Sequence, residues 1–199
     1  MSIDIGLTGN IASGKSMISG MLREHGAAVL DADLIGKTVL ADNVEGALDQ
    51  VRTAFGDQVF DENQLNRHLL GNLVFGQPDL LMKLNDIMMP IMTRLVASEI
   101  AALHQTSDVV VLDAAILIEA GWQKLVDEIW VVKASKSEQL ERLMTRDLLS
   151  RDEAISRIEA QMPLAQKLTF ADVLIDNTMD VERTRKQVEM LWKTRLQNR

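Results

Sequence analysis

Apolar positions in this chain follow two rhythms that take turns. Ile3, Ile5 and Leu7 occupy every second position, the period of a strand, and predict a short first strand. Met17, Ile18, Met21 and Leu22 then recur at helical spacing and predict a helix that stops near Gly26. Ala28-Val29-Leu30 reads as a second strand running into Asp31-Ala32-Asp33. From about Leu34 to His104 the rhythm is helical and predicts no strand. Leu65, Leu69, Leu73 and Val74 mark one helix of this block, and Asp79 is expected to cap another carrying Leu80, Leu81 and Leu84. Pro90 is expected to break or restart the helix, which continues through Ile91, Leu95, Ile100 and Leu103. So long a block exceeds one crossover helix and reads as an insertion beside a sheet, a way to build a pocket for a second substrate.

The strand rhythm then returns. Val109-Val110-Val111-Leu112 and Ile129-Trp130-Val131-Val132 are unbroken apolar runs, as expected of strands buried on both faces in a parallel sheet. Ser137 to Thr145 reads as a charged helix, and Ser150 with Glu153 as a capping box opening a helix through Ile155 and Ile158. Val173-Leu174-Ile175 is a last short strand. Asp180 caps a final helix with Val181, Val188, Leu191 and Trp192 on one face. Alternation of this kind predicts an α/β fold, a doubly wound parallel sheet with right-handed crossovers.

Between the first strand and the first helix lies Gly9-Asn10-Ile11-Ala12-Ser13-Gly14-Lys15-Ser16, which fits the phosphate-binding pattern G-x-x-x-x-G-K-[ST]. A strand-to-helix turn is where that pattern works. Its backbone N–H groups can curl around a phosphate, and the helix start adds partial positive charge. Lys15 is expected to reach the outer phosphates and the Ser16 hydroxyl to ligate Mg²⁺.

Composition narrows the partners. The chain has 199 residues, 47% of them hydrophobic, enough for one sizeable core. It has no cysteine, which excludes disulfides and a cysteine zinc site, and His25, His68 and His104 are too scattered to suggest a metal site. A net charge of −8 argues against a general nucleic-acid binder while leaving room for a nucleotide, whose phosphates need only local positive charge. No apolar run reaches membrane-spanning length, and the first residues run straight into a strand, leaving no room for a signal peptide. A cytoplasmic protein, monomeric or weakly self-associating, is expected.

Phosphoryl transfer needs more than a phosphate loop: a metal, neutralising cations and an oriented acceptor. Asp31 and Asp33 end the second strand, where ligands bind in open α/β sheets. One can take a proton from an attacking hydroxyl and the other hold Mg²⁺ through water. Strand alternation would put both on one face, with Asp33 favoured as the base. The pair also fits a simple helix cap. Asp113 follows a buried strand and suits either metal contact or an ordinary loop. Arg142 and Arg146 share a helix face, with Lys136, Arg151 and Arg157 nearby. They suit a lid over nucleotide phosphates, or a solvated face paired with Glu138 and Glu141. No N-K-x-D guanine-reading motif is present. A module that binds nucleotide without turnover would need neither base nor lid arginine.

Taken in order, these residues resemble the dephospho-coenzyme A kinase family over nearly the whole chain. The likeness runs from Gly6-Leu7-Thr8 through the phosphate loop and Asp31-Ala32-Asp33, then Leu65, Arg67, Leu70 and Val74-Phe75. It continues in Gln139-Leu140-Glu141-Arg142-Leu143, Arg146-Asp147 and Ala160-Gln161-Met162-Pro163, and ends at Ala171-Asp172 and Ile175-Asp176-Asn177. The resemblance implies transfer of the ATP γ-phosphoryl group to the ribose 3′-hydroxyl of dephospho-coenzyme A. It implies that Asn10, Ile11, Ala12, Ser13, Gly14, Lys15, Ser16, Met17 and Arg146 bind ATP, with Asn177 near its adenine end. Arg142 would meet the transferring phosphate, and Mg²⁺ would sit on Ser16 with Asp31 or Asp113 through water. Thr8, Asp31, Asp33, Arg67 and Glu119 would face the acceptor. One domain is implied, with a core of 1–33, 106–133 and 166–199, a helical insertion of about 34–105 that binds the acceptor, and a lid of about 134–165. Two stretches depart from the family. Met89-Pro90 replaces His-Pro, and Ala115-Ile116-Leu117-Ile118-Glu119 replaces Pro-Leu-Leu-Phe-Glu. Smaller side chains at Ala115 and Ile118 predict a roomier acceptor wall.

Overall fold

The strand met first in the sequence lies at the middle of the sheet. A computed structural model describes residues 2–74, 76–178 and 180–196 of the chain. Phe75, one of the residues of the family resemblance, lies outside them. In chain order the elements are β1 (Ile3–Gly9), α1 (Lys15–Glu24), β2 (Ala28–Asp31), α2 (Ala32–Ala41), α3 (Ala47–Phe55), β3 (Phe60–Asp61), β4 (Gln64–Leu65), α4 (Arg67–Val74), α5 (Pro78–Leu103), β5 (Val109–Asp113), β6 (Glu128–Lys133), α6 (Lys136–Asp147), α7 (Arg151–Glu159), α8 (Leu164–Leu168), β7 (Val173–Asp176) and α9 (Val181–Leu191). They form two compact units, Asp31–Glu99 and the rest of the described residues.

The larger unit is built on a five-stranded sheet in the order β2-β5-β1-β6-β7. Strands β5, β1, β6 and β7 pair in parallel, with Leu7 beside Asp113 and Gly9 beside Val132. Chain direction across the sheet reverses at β1, since β2 and β5 lie to one side and β6 and β7 to the other. The carboxyl end of β1 is therefore the switch point where ligands bind in such sheets, and the glycine-rich loop follows it directly. The apolar runs behave as their patterns require. Every residue of β5 is buried, and all of β6 but its last. Ile5, Leu7, Val111, Trp130, Val132 and Ile175 form a core with Ile18 and Leu22 of α1 and Val188 of α9. Each such large side chain contributes about 1.5–3 kcal/mol when fully buried. The buried Trp130 indole N–H donates to Glu128 at 3.0 Å, so no polar atom of the ring is stranded. In α9, Val181 is 55% exposed instead of joining Val188 on the core face, because it begins the first turn beside its cap Asp180.

The smaller unit corrects four expectations. The block holds a strand pair after all, Phe60 beside Leu65 and Asp61 beside Gln64. Two residues a side are too short to show a period of two. Leu65 belongs to this hairpin, and the buried pair of α4 is Leu70 and Val74. Asp79 caps nothing. Pro78 begins α5 and Asp79 lies within its first turn, the arrangement that suits a proline with no N–H to satisfy. Pro90 does not break the helix either, and α5 runs unbroken for 26 residues. Proline removes one backbone bond there, and Met88, Ile91, Met92, Val96 and Ile100, all buried, hold the helix on both sides.

Candidate active site

Among the described residues four helices begin on a polar side-chain cap, while α1, α3 and α8 do not. Asp31 caps α2, Ser135 caps α6, Ser150 caps α7 and Asp180 caps α9. The start of α1 has Gly14 in the left-handed region at φ 90°, no side-chain cap and no acidic residue in its first turn. A helix start leaves four N–H groups without intrahelical partners. Left uncapped, with Lys15 and an exposed Ser16 in its first turn, this end of α1 is built for an anion.

The loop ahead of α1 is held from outside. Gln139 Nε2 donates to the Ile11 carbonyl at 2.7 Å, Arg142 Nη1 to the Ala12 carbonyl at 3.1 Å and Asn177 Nδ2 to the Ser13 carbonyl at 2.7 Å. In a trans peptide the carbonyl and the following N–H point in opposite directions. Pinning these three carbonyls therefore turns the N–H groups of Ala12, Ser13 and Gly14 away from the donors. The Ser13 N–H closes a turn to Asn10 at 3.0 Å. Two further bonds fasten the loop to the 161–162 segment: the Ile11 N–H donates to Gln161 Oε1 at 2.6 Å, and Asn10 Nδ2 to the Met162 carbonyl at 3.0 Å. Two polar atoms of the loop, Asn10 Oδ1 and Ser13 Oγ, are buried with no partner among the described residues.

Both glycines of the motif are explained by close approach. A Cβ on Gly9 would stand 2.7 Å from the Val132 carbonyl and from Ser13 Oγ, and one on Gly14 2.1 Å from Asn177 Nδ2. Asn177 is 3% exposed, and its carbonyl oxygen accepts from Thr184 Oγ1 at 3.0 Å. Both polar ends of its side chain therefore have protein partners, one of them in the loop.

Lys15 and Asp113 are brought together as an ion pair, each side chain largely buried. Asp113 ends β5 beside β1, so the carboxylate after the buried strand has a position next to the phosphate loop. Ser16 and Asp113 fit a Mg²⁺ ion held chiefly by phosphate oxygens. That ion characteristically keeps waters and takes only one or two protein ligands, and no group of three or more His, Cys, Asp or Glu side chains suited to a metal is found among the described residues.

The lid cations divide. Arg142 reaches the loop, where its guanidinium also pairs with Glu138 at 3.2 Å. Hydrogen bonds from Ser135, its side chain first and its backbone second, hold the Glu138 carboxyl below its ordinary value. Arg146 makes no hydrogen bond to the loop among the described residues. It forks onto neighbouring Asp147 at 2.7 and 2.9 Å, which holds that carboxyl below its ordinary value. Lys136 braces α6 against α7 through Glu159 at 3.0 Å.

The acidic pair after β2 is not an alternating strand pair. Asp31 Oδ1 accepts from the Asp33 and Leu34 N–H groups at 2.9 and 3.1 Å as the cap of α2, and Asp33 stands in that helix's first turn. Within the same unit Arg67 donates to the Lys37 carbonyl at 2.6 Å, and Met89 lines a shallow hollow with Asn85, Asp86, Pro90, Thr93 and Arg94.

Thr8 and Glu119 meet through a residue that sequence reasoning missed. Lys167 donates to both Glu119 oxygens, at 2.8 and 3.1 Å, and to the Ala115 carbonyl at 2.7 Å, which also accepts from Thr8 Oγ1 at 3.2 Å. Nothing in the mixed stretch Leu164 to Phe170 marked this lysine in the sequence. Ile118 is buried.

Known proteins resemble this chain in sequence and fold. The profile of the family described as Dephospho-CoA kinase matches residues 3–182. The Dephospho-CoA kinase of Carboxydothermus hydrogenoformans is 46% identical over 186 residues, covering 92% of this chain and 90% of that one. A crystal structure from Thermus thermophilus superposes with a TM-score of 0.82 at 32% identity, covering 96% of this chain and 97% of that one. The dephospho-CoA kinase of Campylobacter jejuni, at 24% identity and a TM-score of 0.71 over 97% and 96% of the two chains, shares the fold.

Proposed function

The chain belongs to the dephospho-CoA kinase family, and from that membership we propose that it transfers the γ-phosphoryl group of ATP to the ribose 3′-hydroxyl of dephospho-coenzyme A. The products are coenzyme A and ADP, the last step in making coenzyme A. The observation that carries the phosphate half of this reading is the uncapped start of α1 behind a loop whose carbonyls are already turned outward.

In this reading the α- and β-phosphates lie on the loop and helix N–H groups, and Lys15 exchanges Asp113 for the outer phosphates. Ser16 holds Mg²⁺, with Asp113 through water preferred to Asp31, whose Oδ1 serves as a helix cap. When bound there, Mg²⁺ would supply positive charge to offset the phosphate charge during transfer. The 3′-hydroxyl oxygen attacks the γ-phosphorus, its proton passes to Asp33, and ADP leaves. Arg142, beside Gly14, meets the charge on the moving phosphoryl group. Arg67, Thr8 and Glu119 contact the acceptor, and residues 134–165 act as the lid. The reaction is assigned to the cytoplasm, by a monomer or weak homo-oligomer. No helix among the described residues is long and apolar enough to cross a membrane.

The test is product mass from purified protein, ATP and Mg²⁺, with and without dephospho-coenzyme A. Gain of one phosphate on that acceptor is the expected result. Slow transfer to it and fast transfer to a nucleoside monophosphate would reassign the acceptor, and ATP binding with no transfer to any acceptor would leave a binding module.

A further inference from the structure

Lys167 lies on the short helix α8 with none of its side chain exposed. A buried ammonium is costly unless paired and hydrogen-bonded. Here Nζ faces three oxygens, two on Glu119 and one on the Ala115 backbone, which match its three protons. Stability alone is a poor reason for such a pair, since apolar replacements of buried ion pairs are often as stable or more so.

The geometry offers a better one. Glu119 keeps 28% of its side chain exposed while its partner keeps none. The cation thus holds the carboxylate from inside and leaves one side of it open. The same ammonium shares the Ala115 carbonyl with Thr8, which immediately precedes the phosphate loop. Gln161 and Met162, a few residues before α8, hold that loop at Ile11 and Asn10. One stretch of chain, 161–167, therefore fixes the nucleotide loop at one end and Glu119 at the other.

We infer that Lys167 is a positioning residue for the acceptor: it sets the Glu119 carboxylate so that its open side accepts a hydrogen bond from a neutral N–H or O–H group of the acceptor nucleotide. The inference rests on the acceptor reading proposed above. It predicts a split in kinetic constants that a scaffolding lysine would not produce.

The experiment measures kcat and both KM values for wild type, Lys167→Met, Glu119→Gln and the double variant, with melting curves alongside. Lys167→Met and Glu119→Gln are each expected to raise KM for dephospho-coenzyme A about tenfold, the effect of one hydrogen bond to a charged group. KM for ATP should stay within about twofold, and the double variant should be no worse than the poorer single one, because both changes remove the same contact. If Lys167→Met fails to fold, Glu119→Gln decides alone, since it keeps the volume and an oxygen for the lysine. A wild type inert toward dephospho-coenzyme A would overturn the acceptor reading and this inference with it. An active wild type whose variants keep their acceptor KM, or lose both KM values and melting temperature together, would overturn the inference alone.

Discussion

Asn177→Ala tests whether the loop is shaped before ATP arrives. The substitution removes the donor to the Ser13 carbonyl and the acceptor of the Thr184 hydroxyl. Both bonds are buried, and leaving a buried polar group unpaired costs about 1–3 kcal/mol. The Thr184 hydroxyl retains a long contact to the Asp180 carbonyl at 3.5 Å and belongs at the low end. The Ser13 carbonyl belongs in the middle. Together they give about 3 kcal/mol, which for a domain of this size lowers the melting temperature by roughly 6–12 °C. A second effect falls on ATP. Without Asn177 the peptide between Ser13 and Gly14 must be ordered by the nucleotide, and fixing one backbone unit costs about 1–2 kcal/mol, or roughly 5–30-fold in affinity.

The assay is calorimetric unfolding with and without ATP and Mg²⁺, with nucleotide affinity measured separately. Bound ATP should raise the melting temperature of the variant less than that of wild type, because weaker binding stabilises less at equal ligand concentration. A fall of under about 2 °C with unchanged affinity would refute the bond assignment. A large fall with unchanged affinity would leave Asn177 as scaffold and refute preorganisation of the loop.

Asp33→Asn should lower turnover by roughly 10²–10⁴ with little change in ATP binding if Asp33 takes the acceptor proton; near-normal turnover in single-turnover assays would remove that role. Lys15→Ala should weaken ATP binding and turnover together, because its charge meets the phosphates before and during transfer, and titration showing full ATP affinity would contradict this. Glu138 and Glu153 sit below their ordinary pKa values through hydrogen bonds from Ser135 and Ser150. Folded values below the unfolded one, about 4.3, mean that their contribution is present above that pH and is lost as the pH falls through the folded values. The melting temperature between about pH 5 and pH 3 should therefore fall more steeply for wild type than for Glu138→Gln with Glu153→Gln, and parallel curves would sink the capping account.

The sheet was legible because strands buried on both faces must be continuously apolar. Val109 to Leu112 and Ile129 to Val132 admit no other reading at that length. The capping box at Ser150 and Glu153 was legible from its spacing, while the same spacing at Ser135 and Glu138, which opens α6, was passed over. What else escaped notice depended on packing. Two-residue strands at Phe60 and Leu65 carry no period, and Pro90 is tolerated because apolar residues on both sides hold α5. Arg146 shares a spacing with Arg142, yet its guanidinium forks onto Asp147 beside it. Lys167 drew no attention, since nothing nearby in sequence shows that Glu119 will face it.

The phosphate loop shows most plainly how local signal and distant support divide the work. Its glycines and lysine can be read in eight residues, but its shape depends on Gln139, Arg142 and Asn177, which lie 128, 130 and 164 positions from the carbonyls they hold. Two of these donors stand on α6, the helix of the expected lid, and the third follows β7. A change in the posture of α6 must therefore act on the peptide planes of Ile11 and Ala12, and through them on the N–H groups of Ala12 and Ser13. Arg142 already bonds the Ala12 carbonyl and Glu138, and in the proposed mechanism it also meets the charge of the moving phosphoryl group. Loss of Arg142 should then weaken loop order as well as transfer, whereas loss of Gln139, which carries no charge, should weaken loop order alone. Comparing ATP affinity with single-turnover rate in Arg142→Ala and Gln139→Ala separates the two: equal losses of rate in both variants would show that Arg142 acts only as a loop tether.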